Sequence, residues 1–269
     1  MLTLFLFIAA LCYVTSALLP VRMRVAIATG TLTGWILHGL ALISAILAPQ
    51  ALRLGFASML SATMWLVIVV YWLENRNFAL DGLRIMVLPC TAVAALLPLM
   101  FPGTLVPLAG KSALFSWHIV ISLLAYSALT IAAFHAVLMA FQESRLHPRF
   151  AVPGGRWLDK FLDRLPALLA MERLLFRLIW VGFILLTLTV LSGVFFTEQL
   201  FGYPLQWNHK NLFTLLSWVL FGLLLAGRQW RGWRGKFALR LTLIGFATLL
   251  LAYVGSRFVL EVIMQQGLA

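Results

Sequence analysis

Five histidines are the residues of this chain best equipped for metal coordination or proton transfer. Imidazole is the commonest transition-metal ligand among side chains and titrates near neutrality. His38 ends the run Ala26, Gly30, Gly34, His38, whose members recur every four residues. Such positions share one helix face, and Gly30-x-x-x-Gly34 is a close-packing pattern for membrane helices. His38 is therefore expected to point into a bundle, either hydrogen-bonded to a neighbouring helix or as a ligand. His118 shares its face with Ser122 and Ala125, which again suggests an inward position. His135 lies farther along the same helix, about 25 Å from His118 at the α-helical rise, too far to serve one metal centre. A packing role is the expectation for His135, and solvation for His147, which stands beside Pro148 in a basic stretch.

His209 belongs to Trp207-Asn208-His209-Lys210, just ahead of an apolar run. That quartet is either an interfacial anchor or a cap over an anionic or metal-containing ligand. Arg257 and Glu261 stand four apart, so they either pair with each other or Arg257 meets a ligand carboxylate in bidentate fashion. Imidazoles with nearby cations and aromatics suit haem, with imidazole on the iron and cations at the propionates. The residues considered for such a site are His38, His118 and His209 as iron ligands, with Trp207, Lys210 and Arg257 around them. Other chemistries lack their signatures. Cys12 and Cys90 stand singly, with no CxxC pair, and no HExxH, phosphate loop, dinucleotide fingerprint or nucleophile–base pair is found. A binding or handling protein is expected rather than an enzyme.

The elements that position these residues are written in the composition. Of 269 residues, 63% are hydrophobic and 10% charged, and mean hydropathy is +1.01, whereas a soluble domain carries about a quarter charged residues. A single integral membrane domain over 1–269 is expected, all-α, because a spanning segment must satisfy its own backbone hydrogen bonds. Eight runs reach spanning length: Leu2–Leu19, Val25–Leu47, Gly55–Leu73, Ile85–Phe101, Ala113–Phe141, Leu174–Phe196, Leu212–Ala226 and Phe237–Met264. The first lacks a basic n-region and a small-residue cleavage site, so it reads as a retained helix.

The net charge of +12 suggests no nucleic-acid partner, because the basic residues fall in short loops between apolar runs. They alternate strictly between loops. Arg22, Arg24, Arg76 and Arg84, the cluster from Arg145 to Arg177, and the cluster from Arg228 to Arg240 share one side. Arg53, Lys111, Lys210 and Arg257 lie on the other. The positive-inside rule places the first set in the cytoplasm and both chain ends outside. His38 and His118 then lie about 13 Å and about 8 Å below the outer boundary, so one ligand shared between them is a possible arrangement. Between residues 156 and 173, Trp157, Leu158, Phe161, Leu162 and Leu165 oppose Asp159, Lys160, Asp163 and Arg164, which predicts a cytoplasmic interfacial helix.

Three stretches carry a family resemblance: Ser116-Trp117-His118-Ile119-Val120-Ile121-Ser122-Leu123-Leu124-Ala125-Tyr126; Trp207-Asn208-His209-Lys210 with Leu216-Ser217-Trp218; and Gly232-Trp233-Arg234-Gly235 with Ile244-Gly245-Phe246. With them, the chain resembles the cytochrome c assembly family of haem-handling membrane proteins. The resemblance implies that His118 is an outward-facing haem ligand and that Trp207 and Lys210 end a tryptophan-rich haem-presenting signature. It also implies that His38 stands in the region of an intramembrane haem histidine. Asn208 replaces the aspartate of that signature, and no histidine occurs in 257–266, where a second outward ligand is expected. His209 is the inferred substitute. The expectation is thus a haem-binding inner-membrane protein related to cytochrome c assembly, with haem b in the outer half of the bundle. Its partners would be the lipid bilayer, haem and other membrane proteins. The alternative is a cofactor-free transporter or accessory subunit, against which Glu74, Glu198 and Glu261 all fall near span ends.

Overall fold

The computed structural model describes residues 2–78, 81–107, 109, 113–145, 167–201 and 208–259. Among them run α1 (Leu2–Leu18), α2 (Arg24–Ile46), α3 (Phe56–Phe78), α4 (Asp81–Met100), α5 (Ala113–Arg145), α6 (Leu168–Phe201), α7 (His209–Arg231) and α8 (Gly235–Leu250). The last continues through a π-helical turn, Leu251–Gly255, into Ser256–Phe258. Seven of these helices are long and apolar enough to cross a membrane. α1, with 17 residues, sits at the short end of the spanning range.

The helices outlast the hydropathy of their runs. α3 continues beyond Leu73 to Phe78, and α5 beyond Phe141 to Arg145. α7 gains a turn at each end because Asn208 caps it, its side chain accepting from Asn211 N at 2.9 Å, while Gly232 closes it at φ 66°. Of the segment expected to lie along the interface, Leu168–Arg173 forms the start of α6, and 156–166 lies outside the described residues. Pro89 and Pro98 sit inside α4, tolerated because neighbouring helices can supply the lost backbone partners.

Small residues set the close contacts. A Cβ on Gly30 would meet Ser16 Oγ at 2.5 Å, and one on Gly34 would meet Tyr13 at 3.0 Å, so the small-residue face of α2 docks on α1. α5 is the central helix, packing on α3, α6 and α8 with Ala125, Ala132 and Ala136 fully buried. Large apolar side chains such as Leu11, Val25, Leu40 and Trp117 point outward, as expected where lipid is the solvent.

The sequence reading contains no strand, yet a three-stranded antiparallel sheet lies at one end of the bundle: β1 (Leu47–Ala48), β2 (Ala51–Leu54) and β3 (Thr104–Pro107). Pro49 and Gln50, the latter at φ 58°, turn β1 into β2, the residue placement of a type II turn. β3 pairs Leu52 with Val106 and Leu54 with Thr104. Gly103 precedes β3 at φ 77°, where a Cβ would fall 2.8 Å from Leu54 O. Only glycine fits there.

Candidate functional site

At the sheet-bearing end a cavity of about 1000 Å³ opens between α3, α5, α6, α7 and the end of α8, with Leu54, Leu105, Val106 and Pro107 contributed by β2 and β3. This is the upper end of the range for small-molecule sites. Its walls are mainly apolar, including Met59, Met64, Phe115, Phe246 and Leu250, with polar groups from His118, Lys210, Tyr126, Tyr253, Thr130 and Thr189. Along α5 the lining runs from Phe115 to Phe134, about 28 Å at the helical rise, so the cavity is deep as well as wide.

His118 is held by its neighbours on α6. Its Nδ1 stands 2.8 Å from Ser192 Oγ, and the Ser192 hydroxyl donates to Thr189 O at 3.0 Å. With the hydroxyl proton on that carbonyl, which only accepts, Ser192 Oγ accepts from His118 Nδ1–H. That tautomer puts the imidazole lone pair on Nε2. An orienting bond on one ring nitrogen is what fixes a ligand histidine for coordination through the other. Gly193 lies beside the ring, where a Cβ would make an ordinary contact, 3.5 Å from His118 Cε1.

The opposite wall is shaped by a change of helix type. Tyr126 Oη donates to Leu249 O at 3.1 Å, two residues before the π turn at Leu251–Gly255. Such turns recur at functional sites. As a result Ala252, Tyr253 and Val254 all line the cavity, although three consecutive α-helical positions would spread over about 200°.

The candidate residues divide. His118 and Lys210 line the same cavity. His209 is exposed at the first position of α7 and is not a lining residue. Arg257 follows the π turn in the last helical turn, and Trp207 lies outside the described residues.

His38 is not among the residues that line the cavity of His118. His38 is fully buried between α1 and α3, with Nδ1 3.3 Å from Tyr13 Oη and Nε2 2.8 Å from Ser61 Oγ. The glycine face that carries His38 is docked on α1, and its Nε2 meets Ser61 on α3. Beside it, Trp35 and Trp65 stack at 4.6 Å and each indole N–H donates to the other's backbone carbonyl, at 3.2 and 2.9 Å.

Ser192, Gly193, Tyr126 and Tyr253 escaped the sequence reading as site residues. The adjacent small pair Ser192-Gly193 within an apolar run was the available signal. Glu74 lies near the end of its span, Phe56–Asn75, yet it is 8% exposed and 3.6 Å from the fully buried His135.

These features define a multi-pass helical membrane protein with a deep, mainly apolar cavity holding one oriented imidazole. The chain belongs to the cytochrome c assembly protein family, whose model matches residues 2–264. Among its relatives is the inner membrane protein YpjD of Escherichia coli K12, 32% identical over 146 residues, 54% of this chain and 52% of that protein. Another is the cytochrome c biogenesis protein CcsA of Thermosynechococcus vestitus, 26% identical over 196 residues, 61% of each chain. The CcsA protein of Gloeobacter violaceus is 29% identical over 97 residues, 36% of this chain and 29% of that one. The chain thus matches only about half the length of the first of these relatives. No solved structure matches it. It is a multi-pass inner-membrane protein.

Proposed function

We propose that this chain binds haem for cytochrome c biogenesis, in the cavity at its sheet-bearing end, with His118 Nε2 as iron ligand. The observation that carries this reading is the His118–Ser192–Thr189 chain, which puts the imidazole lone pair on Nε2 in a ligand-sized apolar cavity. Family membership supports the choice of haem over other ligands, as does the biogenesis role printed in the names of the CcsA relatives. The residues present fit the group: apolar walls for a macrocycle, an oriented imidazole for the iron, and Lys210 as a cation for a propionate. When bound, haem supplies an iron centre whose potential is tuned by its axial ligand and the surrounding polarity.

The chain's own residues bind and orient. Ser192 holds the ring, Tyr126 keeps the π turn in place, and β2 and β3 help enclose the cavity. His209, Trp207 and Arg257 belong to the same end of the chain's topology and are proposed at the rim, His209 as a second ligand. Cys12 and Cys90 stand alone among the described residues, so non-covalent, b-type binding is the proposal. The positive-inside rule supports an outward-facing site. Lipid and other membrane proteins are the proposed surroundings, with no role for nucleic acid.

The test is a reduced-minus-oxidised absorption spectrum of the purified chain after haem supplementation. A Soret and an alpha band are expected, lost in His118→Ala and retained in His135→Gln. A colourless protein would leave the cofactor-free reading, and equal loss in both variants would remove the site assignment.

A further inference from the structure

Glu74 on α3 and His135 on α5 face each other at 3.6 Å between Oε2 and Nε2, and neither atom has a hydrogen-bond partner among the described residues. His135 Nδ1 is 2.9 Å from Ile131 O. Because a carbonyl only accepts, Nδ1 carries a proton. Nε2 and the carboxylate oxygen are then two acceptors facing one another out of water. Two lone pairs in contact, one of them charged, carry the full cost of a buried unpaired ion. One proton between them removes that cost, either as carboxylic acid beside neutral imidazole or as carboxylate beside imidazolium.

The couple lies at the depth of the cavity's inner end, since Phe134 lines the cavity and His135 is the next residue, but neither Glu74 nor His135 lines it. Further polar groups lead from it toward the basic end. Asn75 follows Glu74, Gln142 lies two turns beyond His135, and both have buried oxygens. Among the described residues, Arg177 on α6 acts on Glu74 with its positive charge. Arg84 on α4, the helix packed against α3, is buried and donates to Leu19 O at 2.9 Å. Ionisable groups inside a membrane bundle are costly and mark proton or ion sites.

We propose that Glu74 and His135 form one proton-binding site, which exchanges a single proton with water at the basic end of the bundle. The site lies apart from His118 and does not depend on what occupies the cavity. The proton moves as H⁺ between water and the couple, and no covalent bond other than O–H or N–H is made or broken. The pair titrates as a unit, so each partner's protonation depends on the other.

Infrared difference spectra of the full-length chain in lipid nanodiscs test this while the pH is stepped across about 4–10. One titrating signal from the couple is expected, a carboxylic C=O stretch or an imidazolium mode. Glu74→Gln should remove any carboxyl component, and His135→Gln should move the midpoint of Glu74 by more than about one pH unit. A Glu74 midpoint unchanged by His135→Gln, or a spectrum unchanged by Glu74→Gln, overturns the proposal. Nitrogen-15 shifts of His135 in the unmutated chain guard against misfolded variants. Nδ1 should stay protonated throughout, and a tautomer with the proton on Nε2 alone would defeat the argument.

Discussion

His118 on α5 and Ser192 on α6 are joined at 2.8 Å, so a hydroxyl on one helix sets the ring orientation of a histidine on the next. Removing that hydroxyl leaves the cavity and the imidazole in place but frees the ring to rotate. Ser192→Ala is therefore expected to weaken haem binding by about 10–100-fold, the usual effect of losing an orienting partner of a ligand histidine. Haem titration followed by absorbance measures it. Unchanged affinity would mean that the ring is held by something else.

Tyr126 makes a comparable bond across helices, to Leu249 O. Tyr126→Phe deletes the donor while keeping the ring, and interhelical hydrogen bonds of this kind are worth about 0.6 kcal/mol, up to about 1.7. A stability loss in that range is expected in reversible detergent unfolding. Faster hydrogen exchange should be confined to the π turn at Leu251–Gly255. Exchange that speeds up evenly along α8 would detach Tyr126 from the turn.

His38 should behave unlike His118. Replacing it with Phe leaves Tyr13 Oη and Ser61 Oγ, both fully buried residues, without their partner. The expected cost is about 1–3 kcal/mol for stranded buried polar groups, seen as a lower unfolding midpoint with the haem band intact. A folded His38→Phe protein without the band would return His38 to the site.

The helical architecture was legible because a bilayer leaves the backbone few choices, so long apolar runs and alternating loop charges define the spans almost unaided. Helix ends were less so. Caps such as Asn208 and Gly232 extend α7 through polar residues that hydropathy discounts, and α3 likewise carries Glu74 inward. The sheet went unread because its strands are two to four residues long, too short for alternation to register. His118 was identifiable from its face and its motif. Its partners were not, since Ser192 meets it only through the packing of α6 on α5. His38 is a different case. Periodicity correctly gave it an inward face, but a helix in a bundle has more than one inward neighbour, and spacing cannot say which.

Two glycines near the cavity should respond differently to the same added methyl group. At Gly103 a Cβ would stand 2.8 Å from the backbone oxygen of Leu54, with φ at 77°, so neither the neighbour nor the torsion can yield cheaply. Gly103→Ala is expected to cost about 1–3 kcal/mol, the scale of backbone strain at such positions. Because Leu54, Leu105 and Val106 line the cavity, it should also loosen ligand binding there. At Gly193 a Cβ would make an ordinary contact, 3.5 Å from His118 Cε1, so Gly193→Ala should leave both stability and the haem spectrum close to those of the parent chain. Thermal unfolding and haem titration of the two variants, run together, compare the rim with the ring. If Gly193→Ala proved the more damaging, the space beside His118 would be tighter than a 3.5 Å contact allows, and an iron-bound imidazole at that position would lose its room.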